Sequence, residues 1–516
     1  MVLIPTFGTG LFIGAGQALA AGGPASLLGS YVLICVLTYC LTTAIAEIAA
    51  HRPALNGTMV AHSYEYGSNH LGFALGYLRW YSLATMVPFE ITTAMVNLGL
   101  WGPEPRMAVR ISMVAILILV FNLLPQRAFK RTETVFTGLK FVTTAGLVVC
   151  SLYLAIRGLP GTPIRGFRYW HEPGPLNEYL VHGNPGRFLG FLQSLLYSVI
   201  SFTLTPEITV QRAERSNTER GPSILSMARI DSIHFFVLYL LSVFMMTFVS
   251  PFDEPRLTHY GMGAGTSPFI VGLIRANIPA LQAVFTGLIF LSSVASGRSF
   301  LYISSRTLYT LADYGHAPAM FTKRNRYDVP YVAIITSALF SVFAYLSLAE
   351  SSSALFNSLM YFITTSGSIS WLCSCILYLR FRRKTDEQGV SRVHQSRIQP
   401  YGVYLGILGC TLLPIANALI LAFPAPSREE TPIESWSELR LGNAIPVYLG
   451  ITAFTSLYFG HQVRSIILQR TSKSERDSVE ANATTHQGWW RILWFERDGL
   501  SPTASRSART PNPLEP

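Results

Sequence analysis

The sequence predicts an all-α, polytopic membrane protein of about twelve spanning helices, two of them broken in mid-membrane. Three observations carry this expectation. Half of the 516 residues are hydrophobic and only 13% are charged, with a mean hydropathy of +0.35. The apolar residues fall into about a dozen runs, each near the ~20 residues that cross a bilayer, a pattern that soluble domains do not carry. The first run is interrupted by Gly8-Thr-Gly-Leu-Phe-Ile-Gly-Ala-Gly16. Glycine costs roughly 1 kcal/mol in a helix interior, so glycines at 8, 10, 14 and 16 predict exposed main chain. Within lipid, free N–H and C=O groups persist only where they face protein, water or a ligand. A broken spanning helix therefore marks a binding site.

Composition also excludes several classes. The net charge of +11 could suit nucleic acid, but the basic residues sit in short loops between apolar runs, where they set membrane orientation. All six cysteines lie inside apolar runs and imply no disulfide framework. Cys373 and Cys375 are two apart on an expected helix and so share no face, which argues against a metal or redox pair. No metal-ligand spacing, nucleophile elbow or phosphate loop is present, so neither an enzyme nor a cofactor is expected.

No cleavable signal is expected at the N-terminus, because no basic region precedes the first apolar stretch and that stretch runs into the glycine break. Only Met1 to Phe7 lie before the glycine break, about 10 Å of helix and less than half a membrane. Either upstream residues are missing or the first half-helix is short. After a turn at Ala20 to Pro24, Ala25 to Ala50 forms span two, with Glu47 near its end, and a polar loop to Asn69 follows. Leu71 to Leu100 is span three, with Pro88 and Glu90 inside it, and Met107 to Leu124 is span four. Gln126 to Glu133 reads as a basic loop, and span five, Thr134 to Ile156, holds Lys140. Arg157 to Arg187, rich in Gly, Pro, Tyr and Trp, reads as an irregular external loop.

Span six, Phe188 to Val210, is interrupted by Ser201-Phe202-Thr203-Leu204-Thr205-Pro206-Glu207. Proline removes a donor and disfavours helix at the preceding residue, which makes this a second break. A polar loop, Gln211 to Arg229, leads to span seven, Ile230 to Val249, and span eight, Pro268 to Ser296. The segment Arg298 to Asp328 reads as mixed. Spans nine (Pro330 to Leu348), ten (Ala354 to Leu379), eleven (Tyr401 to Phe423) and twelve (Ala444 to Leu468) complete the bundle. Residues 469–516 read as a disordered tail.

With Met1 cytoplasmic, the loops holding Arg127, Lys130, Arg131, Arg212, Lys323, Arg324 and Arg382 lie inside, as the positive-inside rule requires. The sequons at Asn56 and Asn482 then lie inside as well and stay unglycosylated.

Breaks five spans apart predict two five-helix repeats of opposite orientation. The residues around them resemble a known family. Gly8-Thr-Gly-Leu-Phe-Ile-Gly with Gly22-Gly-Pro-Ala-Ser26 comes first, followed by Leu71-Gly-Phe-Ala-Leu-Gly-Tyr77 with Pro88-Phe-Glu90, and by Glu133 with Lys140. Ser304-Ser-Arg-Thr-Leu-Tyr309, His316-Ala-Pro318 and Arg380-Phe-Arg-Arg383 complete the order. On these stretches the chain resembles the fungal amino-acid permeases of the amino acid–polyamine–organocation superfamily. The resemblance implies a leucine-transporter-like fold of two inverted five-helix repeats plus two helices. It divides the chain into a permease domain, 1–468, and a tail. The repeats would cover 1–156 and 188–380, and the extra helices 401–423 and 444–468.

The same resemblance implies proton-coupled amino-acid uptake across the plasma membrane, with both termini cytoplasmic. Carried over by residue, the substrate site would use Thr6, Phe7, Gly8, Thr9 and Gly10 of span one. Half-helix N–H groups there suit an α-carboxylate. Its partner would be Ile200, Ser201, Phe202 and Thr203, whose free carbonyls suit the α-ammonium. Lys140 would stand in for a sodium ion and cycle with the proton. From its place beside Pro88, Glu90 reads as a proton site, a substrate-ammonium contact or a structural partner to a free helix N–H, and Glu47 as a gate or loop tie. Amino acid, proton and lipid are the expected partners, nucleic acid is not, and oligomeric state is left open.

The chain also departs from the family's pattern. Leu204 stands at a glycine of the break, Pro206 at a gating glutamate, and Glu207 one position late. Arg298 stands at an asparagine of span eight, and Ile4-Pro5 at a glycine pair before the first break. Intramembrane charges are expensive, so Arg298 must snorkel or pair. Two further readings therefore stand beside the importer: a non-transporting amino-acid sensor on the same fold, motivated by Leu204, Pro206 and Arg298, and a truncated inactive permease, motivated by the short first half-helix.

Overall fold

The computed structural model describes residues 10–51, 59–99, 107–158, 166–215, 224–257, 267–348, 352–389, 395–422, 447–467 and 469–470. The expected sites at Thr6, Phe7, Gly8 and Thr9 lie outside them, as do Asn56 and Asn482. Residues up to Tyr458 form one compact unit, and Phe459 onward a second.

Every described regular element is helical. A wide π-helical turn, Gly10–Gly14, runs into α1, Ala15–His51. Gly14 and Gly16, expected within the break, are therefore helical, because the π turn spreads the glycines along a continuing helix instead of unwinding it. Inside α1, Gly23 takes φ 81° and divides it into two spans just before Pro24. Only glycine enters that region cheaply, and proline can open the next helix because its missing N–H is not needed there.

The chain continues with α2 (Met59–Tyr66), α3 (Asn69–Gly99), α4 (Met107–Leu123) and α5 (Gln126–Arg157). Beyond α5 lie the short α6 (Arg168–His171), then α7 (Asn184–Phe202), α8 (Thr205–Arg215) and α9 (Ile224–Val249). The second half holds α10 (Pro268–Arg275), α11 (Pro279–Asp313), α12 (Tyr331–Ala338) and its 3₁₀ continuation Leu339–Leu348. It ends with α13 (Ser352–Glu387), α14 (Tyr401–Ala422) and α15 (447–467).

Eight of the described helical segments are long and apolar enough to cross a bilayer. Dividing the first at Gly23, and counting α3, α4 and α15, supplies a counterpart for every expected span. The lipid-facing and protein-facing sides separate by helical period. On α4, Val109, Met113, Ile116 and Val120 are exposed, while Ile111, Val114, Ile118 and Asn122 are buried. An apolar surface of that kind is the one a bilayer covers, and the protein is a multi-pass membrane protein.

Several expected boundaries are corrected. Gln126 to Glu133 is no loop but the first turns of α5, which begins after Pro125. Residues 211–215 extend α8, Ile224 to Arg229 open α9, and α2 forms inside the expected loop from Ala50 to Asn69. Charge keeps a helix end out of lipid but does not unwind it, so polarity alone placed these ends wrongly. The expected span eight splits at Asn277 (φ 54°) and Pro279, and α11 runs unbroken to Asp313. Arg298 thus stands in mid-helix, not at a helix end.

The expected irregular loop before span six is in part a strap. The Ala25 N–H donates to Pro175 O (2.9 Å), and the Asn177 N–H to Gly22 O (3.0 Å). The Asn177 amide also donates to Ala20 O (2.7 Å). These bonds satisfy main-chain groups that the kink at Gly23 leaves open, as a non-aqueous setting demands. At the centre of the bundle, α1 packs along α7 and α3 along α11.

Candidate functional site

The π-helical turn that opens span one meets the break in span six. A methyl group on Gly10 would stand 2.8 Å from Ser201 Cα and 2.9 Å from Ser201 N, so the first turn of span one lies directly on the end of α7. The approach continues along both helices. The Ser194 hydroxyl donates to Ala18 O (2.7 Å), and a methyl on Gly190 would come within 2.8 Å of Ala21 O. Small residues permit such contact, and here they bring the π-helical turn of span one onto the interrupted main chain of span six.

The second break is two residues wide. α7 ends at Phe202, Thr203 and Leu204 form a turn, and α8 starts at Thr205 with Pro206 in its first turn, where its missing donor is harmless. Ser201 is held from both sides. The Tyr31 hydroxyl shares a hydrogen bond with Ser201 Oγ (2.9 Å), and the Tyr239 hydroxyl donates to Ser201 O (3.0 Å). The rings of Tyr31 and Tyr239 pack on Phe202 with centroids 6.0 and 4.7 Å away, and all three side chains are buried. The expectation of free carbonyls is corrected in part. Ile200 O accepts the Thr203 N–H (3.4 Å), and Ser201 O is taken by Tyr239. A helix broken for only two residues retains its neighbouring i→i+3 bonds.

Lys140, on α5, is 1% exposed and donates from Nζ to Ser296 Oγ on α11 (2.7 Å). Glu90, Glu133 and Arg298 act on it electrostatically. Glu90 reaches this place from α3, where its Cβ lies 3.4 Å from where a Gly297 methyl would be. Arg298 does not snorkel. Its guanidinium donates to Thr132 Oγ1 (2.7 Å), and it stacks 4.0 Å above the Phe129 ring. The turns of α5 that were expected to be a loop supply both partners. Spans three, five and eight thus converge on a buried group of two cations and Glu90, with the half-buried Glu133 beside it.

Glu47 lies apart from both groups. Its carboxylate accepts the Tyr378 hydroxyl of α13 (2.5 Å) and the N–H of Ser396, tying span two to the segment before α14. Glu207, on α8, forms a buried ion pair with Arg79 of α3. Arg79 was missed in the sequence, although a lone arginine at the ninth residue of the apolar span that starts at Leu71 is itself a signal. Tyr31 and Tyr239 were missed too, and nothing in a single sequence distinguishes them from other aromatic residues of the bundle.

A spanning helix interrupted at Thr203–Leu204 and packed there on the π-helical turn of another is an arrangement of membrane transporters with discontinuous helices. The amino acid permease family model matches residues 1–465, and the chain belongs to that family. A proline-specific permease of Emericella nidulans is 31% identical over 506 residues, covering 95% of this chain and 90% of that one. A dicarboxylic amino acid permease of Saccharomyces cerevisiae is 29% identical over 420 residues, covering 80% of this chain and 68% of its own. Among solved structures, a manganese transporter of Eremococcus coleocola superposes with a TM-score of 0.57 at 14% identity, covering 89% of this chain and 92% of that chain. That likeness concerns the fold. Among the described residues, no group of three or more His, Cys, Asp or Glu is placed to hold a metal ion.

Proposed function

We propose that this protein carries amino acids across a membrane by alternating access, taking them up together with protons. The observation that carries the reading is the contact of the π-helical turn of span one with the end of α7 at the span-six break, at Gly10 and Ser201. A zwitterion placed there would have main-chain groups of span one for its carboxylate, while its ammonium would share the span-six carbonyls with the Thr203 N–H and the Tyr239 hydroxyl, with Thr6, Phe7, Gly8, Thr9, Ile200, Phe202 and Thr203 around it. Tyr31, Phe202 and Tyr239 make this neighbourhood aromatic and uncharged, which favours a neutral side chain. The proline-specific relatives point to the same class.

Lys140 and Glu90 are the proton-coupling groups of this reading, Glu47 and Glu207 its gating groups. Residues 1–468 form the transport domain, with repeats over 1–156 and 188–380, extra helices at 401–423 and 444–468, and a tail beyond. Both termini face the cytoplasm, and the membrane is the plasma membrane. The reading includes no enzymatic step.

Its test is uptake of a radiolabelled amino-acid panel by permease-deficient yeast expressing the chain, at pH 5 and pH 7.5. Uptake that is stronger at acid pH and abolished by Lys140→Ala is expected. A surface-expressed protein that transports nothing yet binds an amino acid would replace this reading with the sensor.

A further inference from the structure

One face of α5 is polar and turned inward. At ~100° per residue, Glu133, Thr137, Lys140, Thr144 and Ser151 fall within about 60° of one another around the helix. The last four are 0–3% exposed, whereas Val135, Val142, Val149 and Tyr153 on the opposite face are 56–69% exposed. The apolar face is what lipid requires, so the polar stripe on the inner face needs a reason of its own.

Glu133 ends that stripe. It is half-buried in the first turns of α5, and Lys130, Arg131 and Thr134 around it are exposed. Lys140 stands two turns deeper, about 10 Å along the axis at 1.5 Å per residue. Helical side chains lean toward the N-terminus of their helix, which here is the Glu133 end. Contacts with α11 agree. Lys140 Nζ donates to Ser296, and Arg298, about 3 Å further along α11, donates to Thr132, the residue next to Glu133. The charged groups that bear on Lys140 are Glu90 from α3, Arg298 from α11 and Glu133 from its own helix, and Glu133 bears on Arg298 as well. A guanidinium does not release its proton, so Arg298 is a fixed cation and the mobile proton belongs to Lys140 or the acids. Of the acids, Glu90 is 2% exposed, and Glu133 is the one within reach of water.

We infer that Glu133 receives the proton that Lys140 releases on the cytoplasmic side and passes it to water. An N–H bond of the Lys140 ammonium breaks and leaves its electron pair on the amine, while an O–H bond forms on the Glu133 carboxylate. That bond breaks in turn as a cytoplasmic water takes the proton, and the carboxylate is restored. The inference rests on the proton-coupled reading above, its orientation included, and adds the residue by which the proton leaves.

The test reconstitutes the purified protein in liposomes and follows radiolabelled neutral amino acids, proline among them, in two modes. Accumulation driven by an alkaline interior requires Lys140 to discharge its proton in every cycle. Exchange between equal pools at equal pH does not, because the loaded protein returns still protonated. In Glu133→Gln the ratio of accumulation to exchange falls at least about tenfold, and Glu133→Asp, which keeps a carboxylate, recovers most of it. If Glu133→Gln does not yield folded protein, Glu133→Ala is read in the same way. An equal fall in both modes shows a role in the fold alone and overturns the inference, as does accumulation that the loss of the carboxylate leaves intact. If the unaltered protein exchanges amino acids without ever accumulating them, no proton is released, and the inference falls while the cargo reading stands. If it moves none, the transport reading fails and takes the inference with it.

Discussion

Gly10 shows how much one hydrogen atom decides. A methyl group there would meet the Ser201 main chain at 2.8 Å, and neither backbone can yield without moving its helix. Gly10→Ala should therefore separate the breaks, at about 1–3 kcal/mol of overpacking, and abolish uptake while much of the protein still reaches the membrane. Surface labelling beside uptake checks this. Tyr239→Phe removes the donor to Ser201 O without changing the ring, and an effect near 1 kcal/mol, about fivefold in KM, is expected from uptake kinetics. The glycine was legible because its helix penalty in an apolar run needs a reason, either a break or close helix packing. Tyr31 and Tyr239 were not, since an aromatic residue in a membrane span is ordinary until its hydroxyl is seen to find a partner. Arg298 was legible as an anomaly but not as a solution, because the Phe129 ring and Thr132 hydroxyl that receive it lie on turns first read as loop.

At the level of elements, apolar runs located the spans and charge misplaced their ends. Gln126 to Glu133 and residues 211–215 are polar and helical, because leaving lipid removes the need for apolar side chains but not the local preference for helix. The strap before α7 was legible only as irregular. Its role follows from the open main-chain groups beside Gly23, which Asn177 and Pro175 satisfy. Asn177→Ala leaves the Ala20 carbonyl without that donor, costing about 1–3 kcal/mol. The thermal midpoint of the protein in detergent should then fall by a few degrees, and circular dichroism on heating measures it. An unchanged midpoint would mean that the strap only covers the kink.

For the whole molecule, periodicity and two interruptions five spans apart led from sequence to architecture, and membership of the amino acid permease family agrees with them. The cross-bundle pairings were not legible: Lys140 with Ser296, Glu207 with Arg79, and Glu47 with Tyr378 each join residues more than 120 positions apart. One sequence holds no record of such contacts. The central claim is that Gly10 and Ser201 mark an amino-acid site driven by protons. Its most direct test is accumulation of radiolabelled proline in liposomes containing the purified protein, with the interior made alkaline relative to the medium. The account predicts proline uptake above equilibrium that a protonophore collapses and Lys140→Ala eliminates. The absence of both accumulation and binding of every neutral amino acid by the folded protein would contradict it.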